Sequence, residues 1–136
     1  MVVDAGHLFD SGRPDPEAVR AYLADVRNVL LFAFEADRAI GFVRATELRQ
    51  LTSRRKQMFL YEIGVDARFR RRGVGKALVN ALLEDCRTRE FAEMFVFTDP
   101  ANAAAVALYR STGAVTETPA DRMFVYPLHP GPDPPA

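Results

Sequence analysis

The most constraining feature of this chain is a basic, glycine-containing segment between an apolar run and a helical pattern. The apolar run covers residues 58–65, and the segment RFRRRGVG follows at residues 68–75. A buried strand, a tight turn through Gly73 and Gly75, and an amphipathic helix are therefore predicted in that order. The predicted apolar stripe of this helix is Val74, Ala77, Leu78, Ala81, Leu82 and Cys86.

Strand and helix patterns alternate along the rest of the chain, which favours a mixed α/β fold. Asp15 and Pro16 are typical of a helix start, Asn102 of a helix cap, and Gly113 of a helix end. A strand–helix–strand unit joins parallel neighbours, so we expect a central mixed sheet flanked by helices. The predicted strands are 29–36, 39–48, 58–65, 93–98 and 122–128, and the predicted helices are 16–27, 74–87 and 102–113. One domain over residues 1–127 and a disordered proline-rich tail over residues 128–136 are expected.

The composition excludes several classes of function. The chain has 18 basic and 18 acidic residues, so its formal net charge is zero. A general nucleic-acid or membrane-surface binder is therefore not expected, and any anion site should be local. One cysteine and two widely separated histidines predict neither a disulfide nor a metal site. No signal peptide and no long apolar segment is recognised, so a cytoplasmic protein is expected.

The arginine-glycine segment predicts a phosphate site. The first amides of a helix have no partner within the helix and lie at its positive end, where phosphate binds. Arg70, Arg71 and Arg72 directly precede that end and add guanidinium donors suited to phosphate oxygens. The segment lacks the lysine and hydroxyl of a Walker loop and the third small residue of a dinucleotide fingerprint. A local pyrophosphate site is the resulting hypothesis; for Arg68 a solvated position is an equal alternative.

Two motifs resemble the GNAT superfamily of acyl-CoA-dependent N-acyltransferases. Residues 70–75 are similar to its Arg/Gln-X-X-Gly-X-Gly/Ala signature, and EIGV before them is similar to its strand end. The segment NAAAVALYRSTGA is similar to a later family pattern, with Ala114 where phenylalanine is usual. The resemblance covers most of residues 17–127. The segment LFD and the short chain most resemble the branch that contains aminoglycoside N-acetyltransferases.

The resemblance implies acetyl-CoA as a co-substrate, with no metal. Its pyrophosphate would lie at the turn, and its pantetheine arm would pair with the third strand in a V-shaped split between the third and fourth strands. Asn102 would contact the cofactor, or would only cap its helix. For the glycines, a plain turn at Gly73 and Gly75 and an empty bulge at Gly64 are the alternatives. The implied cofactor-binding residues are Ile63, Gly64, Val65, Arg70, Arg71, Arg72, Gly73, Val74, Gly75, Lys76 and Asn102.

Two residues are candidates for catalysis. The resemblance implies that Tyr109 protonates the departing thiolate; the alternative is a core aromatic. Glu62 interrupts an apolar strand, where a carboxylate is costly without water or a partner. By alternation it is expected to share a face with Leu60 and Gly64, and so with the cleft. It is predicted to take a proton from the amine or to hold its charge; a salt bridge to an arginine is the alternative.

The predicted function is therefore transfer of acetyl from acetyl-CoA to a primary amine by direct attack in a ternary complex. A non-catalytic acyl-CoA-binding module is the alternative, and a small nucleic-acid binder using residues 68–72 is a third class. A small-molecule amine is the expected partner, and a homodimer is possible.

Overall fold

The computed structural model describes residues 6–9, 12–116, 124, 126 and 127. Within these residues it contains one four-stranded sheet flanked by helices, so the predicted mixed α/β fold is confirmed. The α-helices are α1 (Pro16–Ala24), α2 (Val74–Thr88) and α3 (Ala103–Ser111). The strands are β1 (Asn28–Glu35), β2 (Arg38–Arg49), β3 (Lys56–Val65) and β4 (Glu93–Phe95), and short 3-10 helices cover Gly6–Leu8 and Ala67–Phe69.

The sheet has the order β1-β2-β3-β4. β1 pairs with β2 and β2 pairs with β3 in antiparallel fashion, whereas β3 and β4 are parallel. The crossover between the two parallel strands contains the 3-10 turn and α2, as a parallel pair requires. The turn between β3 and α2 therefore lies at the carboxyl end of a central strand, which is a common place for ligand sites in α/β proteins.

One face of the sheet packs against α2 and forms the main core; we call it the α2 face. The predicted apolar stripe of α2 is partly wrong, because Val79 is buried and Ala77 and Ala81 are exposed. The residues of α2 that face the sheet are the buried ones, and they are larger than alanine. The buried core consists of Val43, Ala45, Met58, Leu60, Leu78, Val79, Leu82 and Cys86.

A one-residue bulge in β3 reverses the alternation of its side chains. Leu60 pairs with Ala45 and Glu62 pairs with Arg44, which leaves Tyr61 as the extra residue. Leu60 therefore faces α2, whereas Glu62 lies on the opposite side of the sheet, which we call the far face. The expectation that Glu62 shares a face with Leu60 is wrong, because strict alternation does not hold across a bulge.

β3 and β4 separate after three paired residues. Pairing joins residues 57–59 to residues 93–95, and β3 then continues without β4 as far as Val65. The predicted V-shaped split is confirmed, although the fourth strand is shorter than expected. The split opens toward the turn that precedes α2.

Two other predictions have mixed outcomes. α1 begins as expected, with Asp15 accepting a hydrogen bond from the Ala18 amide, but Leu23 and Val26 are 55% and 91% exposed. Four of the seven residues of the predicted strand 122–128 lie outside the described residues, and so does the whole tail. In the described part of the chain, no helix is both long and apolar enough to cross a membrane.

Candidate functional site

The corner between β3 and α2 is held by Asp66, a residue that the sequence reasoning missed. Its amide donates to the Ile40 carbonyl at 2.8 Å, and its buried carboxylate accepts the Arg68 amide at 3.0 Å. The Arg68 and Arg38 guanidinium groups lie 3.2 and 3.3 Å from the same carboxylate. Hydrogen bonds from Arg68, and then from Arg38, hold the pKa of Asp66 well below its usual range. Its place directly before a short turn was the available signal.

The amino end of α2 has no side-chain cap. Gly73 occupies the cap position in the left-handed conformation, and the first helical hydrogen bond runs from the Ala77 amide to its carbonyl. The amides of the preceding three residues therefore have no partner within the helix. By contrast, Asp15 caps α1 and Asn102 caps α3. The exposed amides at the start of α2 are thus suited to an anion.

The arginines of the turn are arranged differently from one another. The Arg68 side chain is 66% exposed, as its solvated alternative expected, and it is also bound to Asp66. Arg70 Nε donates to the Val65 carbonyl at 3.3 Å, and the Arg72 guanidinium lies over the Phe69 ring. Arg71 has a φ of +63°, which is strained for a residue with a side chain. Among the described residues, none forms a hydrogen bond or ion pair with the Arg71 side chain.

The structure makes different demands on the two glycines of the turn. Gly73 has a φ of +79°, which confirms that the turn needs a glycine there. Gly75 lies inside α2, and a Cβ at this position would be 3.4 Å from Leu108 and 3.8 Å from Val65. These are ordinary contact distances, so the packing of α2 against α3 and β3 does not itself require a glycine there.

Gly64 is a glycine because of packing on the far face. A Cβ there would lie 2.6 Å from Phe42 Cε1 and 2.9 Å from the Leu8 carbonyl oxygen. The bulge lies at Tyr61 rather than at Gly64, so the sequence interpretation of Gly64 as a bulge is wrong. The residue makes room for a buried ring and for the segment before α1.

The backbone of β3 presents Ile63 and Val65 to the split. The Asp66 amide points toward β2, where it donates to Ile40. Because backbone groups alternate along a strand, those of Gly64 also point toward β2, and those of Ile63 and Val65 point toward the opposite edge. β4 does not pair with this part of β3. This edge is therefore open to an extended ligand, with the Val65 carbonyl already accepting from Arg70.

Tyr109 of α3 lies beside the unpaired continuation of β4. It is half-buried against the main core and lines a cavity of about 110 Å³ together with Val96 and Thr98. Burial raises the pKa of the Tyr109 phenol above its usual value of 10.0. The phenol thus keeps its proton at neutral pH, as a proton donor must. Contact with the core is observed, as the alternative expected, and the role of Tyr109 as a proton donor stays a prediction.

Glu62 forms the salt bridge that was the alternative in the sequence analysis. Arg44 Nε donates to Glu62 Oε1 at 2.8 Å, and the Arg44 guanidinium also lies 4.2 Å from the centre of the Tyr61 ring. The pair is half-buried on the far face. Arg44 donates to one carboxylate oxygen, so the other, Oε2, is not used by this hydrogen bond.

Asn102 caps α3 through its side-chain oxygen, which accepts the Ala105 amide at 3.1 Å. Its capping role is observed, and its contact with a cofactor stays a prediction. The described residues include no group of three or more His, Cys, Asp or Glu side chains placed to hold a metal ion.

Comparisons with known proteins agree on one family. The model of the acetyltransferase (GNAT) family matches residues 5–114. Human N-acetyltransferase 8 is 30% identical over 97 residues, which cover 71% of this chain and 43% of that protein. The chain thus spans less than half of the length of such relatives.

Solved structures resemble the whole domain more completely. The aminoglycoside acetyltransferase meta-AAC0020, from an uncultured soil metagenomic sample, was crystallised in complex with trehalose and superposes with a TM-score of 0.79. It is 28% identical and covers 85% of this chain and 76% of its own. The aminoglycoside acetyltransferase HMB0005, from a similar source, has a TM-score of 0.77 and 29% identity, and the match covers 88% and 78% of the two chains.

Proposed function

The chain belongs to the acetyltransferase (GNAT) family, and we propose that it transfers an acetyl group from acetyl-CoA to a primary amine. The observation that carries this proposal is the uncapped amino end of α2, preceded by three arginines, at the mouth of a split in the sheet. A donor with a diphosphate and an extended arm matches both parts of this site.

The proposed donor site has an anion part and a strand part. The amides of Val74, Gly75 and Lys76 and the guanidinium groups of Arg71 and Arg72 would hold the pyrophosphate. Because Asp66 binds Arg68, the turn keeps its shape without a ligand. A pre-formed site reduces the ordering cost of binding.

In the strand part, the pantetheine arm would lie along the open edge of β3. Ile63 and Val65 supply its backbone donors and acceptors, as an added strand would use them. The Val65 amide would also polarise the thioester carbonyl. Holding donor and amine in one split supplies part of the rate, because proximity is worth up to about 7–11 kcal/mol in favourable cases.

The proposed chemistry uses two protein groups. The amine loses a proton to Glu62, directly or through water, and its nitrogen forms a bond to the carbonyl carbon. The carbon–sulfur bond then breaks, and Tyr109 protonates the departing thiolate. The assignment of Tyr109 is supported by its place beside the continuation of β4, where it lines a cavity with Val96 and Thr98. For Glu62 the support is that no described residue forms a hydrogen bond with Oε2, while Arg44 competes for the same carboxylate.

Titration calorimetry with CoA and a thiol-release assay test the proposal in two stages. We expect CoA to bind, and acetyl-CoA to release thiol when a suitable primary amine is present. The amine panel should include sisomicin, because the solved aminoglycoside acetyltransferase meta-AAC0020 was crystallised with it. Binding without thiol release across the panel would indicate a non-catalytic module. A folded protein without CoA affinity would refute the donor site itself.

A further inference from the structure

Four aromatic side chains lie together on the far face, at the point where β3 and β4 separate. Phe59 and Phe95 stack at 5.0 Å, and Tyr61 and Phe97 meet Phe59 edge-on at 5.7 and 5.9 Å. We call these four residues the aromatic cluster. Phe59 and Tyr61 belong to β3, Phe95 ends β4, and Phe97 follows it; the two strands are paired only as far as Phe59 and Phe95. The cluster therefore forms the closed end and the two rims of the split.

The rim residues are exposed. Tyr61 and Phe97 are 60% and 62% exposed, although the rings of Phe59 and Phe95 behind them are half-buried. Each is the first far-face aromatic after the last paired residue of its strand. Arg44 lies over the Tyr61 ring and is itself held by Glu62, so the ring has a defined position. Exposed rings in fixed positions are suited to binding an apolar group.

Few carboxylates lie near the cluster. On the β3–β4 half of the far face, the described carboxylates are Glu62 and Glu93. Glu62 binds Arg44, and Glu93 accepts a hydrogen bond from the Gln57 side chain. Glu93 alone keeps a charge that no described cation pairs, so this half of the face offers few carboxylates to a polycationic amine.

We propose that the acceptor is a primary amine carrying an aromatic or extended apolar group, which packs between Tyr61 and Phe97. This inference rests on the proposed function, because it takes the donor thioester to lie in the split. Tyr109 belongs to the α2-face core, whereas the cluster lies on the far face. The amine would therefore enter from the side opposite to the proton donor for sulfur, with Glu62 beside it.

The inference is tested with phenethylamine and propylamine as matched acceptors and sisomicin as the polycation. We expect kcat/KM for phenethylamine to exceed that for propylamine by at least about ten-fold, equivalent to about 1.4 kcal/mol. Tyr61→Ala and Phe97→Ala should each lower kcat/KM for phenethylamine about ten-fold and leave the KM for acetyl-CoA unchanged. Tyr61→Phe should keep the kcat/KM for phenethylamine at the parent value. Phe34→Ala, which removes an exposed ring from β1, should also leave this kcat/KM unchanged.

Three results would overturn the inference while leaving the proposed function intact. These are equal use of phenethylamine and propylamine, a preference for sisomicin, or Ala variants that raise only the KM for acetyl-CoA. If no amine is acetylated, calorimetry of phenethylamine binding to the CoA-saturated protein decides: no binding refutes the apolar subsite. Absence of CoA binding would instead refute the donor site.

Discussion

Replacing Gly64 by alanine distinguishes a packing role from a ligand-approach role for this residue. The added Cβ would lie 2.6 Å from Phe42 Cε1, so the ring must retreat to at least 3.4 Å for ordinary contact. Phe42 is 1% exposed and stacks on Phe9 at 4.1 Å, so it has little space to move. The Leu8 carbonyl, at 2.9 Å, belongs to the backbone and yields less readily.

The expected effect is a loss of stability. Overpacking of this kind costs about 1–3 kcal/mol, and removing a glycine from the unfolded chain recovers about 0.4–1 kcal/mol. We therefore expect Gly64→Ala to lower the free energy of unfolding by about 1–2 kcal/mol. Urea denaturation followed by circular dichroism measures this free energy. An unchanged m-value would show that the variant and the parent protein have comparable unfolded states.

Gly75→Ala is the matched control. Its Cβ would meet Leu108 at 3.4 Å, an ordinary contact, and the backbone there is helical. The free energy of unfolding should rise by up to about 1 kcal/mol, because alanine favours the helix. The reasoning fails if both variants change stability in the same direction. It also fails if Gly64→Ala is as stable as the parent protein but loses CoA affinity, since Gly64 would then serve the ligand.

Three further predictions concern the turn and the chemistry. Tyr109→Phe should lower kcat about 10²–10⁴-fold with the KM for acetyl-CoA unchanged, and an unaltered kcat in the thiol-release assay would remove Tyr109 from the mechanism. Arg71→Gly relieves a left-handed φ, so the unfolding free energy should stay within about 1 kcal/mol of the parent value. Its CoA affinity, measured by calorimetry, should fall about ten-fold, and unchanged affinity would show that this arginine does not meet the phosphates. Asp66→Asn should be less stable than the parent at neutral pH. The folded-state pKa of Asp66 is lowered from 3.8, so the difference in unfolding free energy between variant and parent should be full above about pH 5 and should shrink as pH falls below 3.8. A difference that does not change between pH 2 and pH 7 would contradict the charge-based account.

Features that depend on neighbouring residues were predicted well. Asp15 and Asn102 cap their helices as expected, since a cap needs only residues two or three positions away. Gly73 adopts the positive φ that a tight turn demands. The parting of β3 and β4 followed from the resemblance to the family.

Features that depend on distant residues were missed. The reason for Gly64 lies in Phe42 and Leu8, which are far away in the sequence. Asp66 is important because of Arg38 and Ile40 on another strand. No pattern within residues 58–76 reveals these partners on other elements, so the sequence analysis assigned Gly64 to a ligand or an empty bulge and did not single out Asp66.

Because of the bulge at Tyr61, the side chains of the two halves of β3 alternate in opposite phase. Before it, even-numbered residues such as Met58 face α2; after it, odd-numbered residues such as Ile63 do. Removing Tyr61 would restore strict alternation and leave Glu62 opposite Arg44 and Ile63 opposite Val43, because both already follow the register of β2. A homologous chain one residue shorter at this point would therefore keep the same faces in the second half of the strand and would lose only the extra ring beside the split.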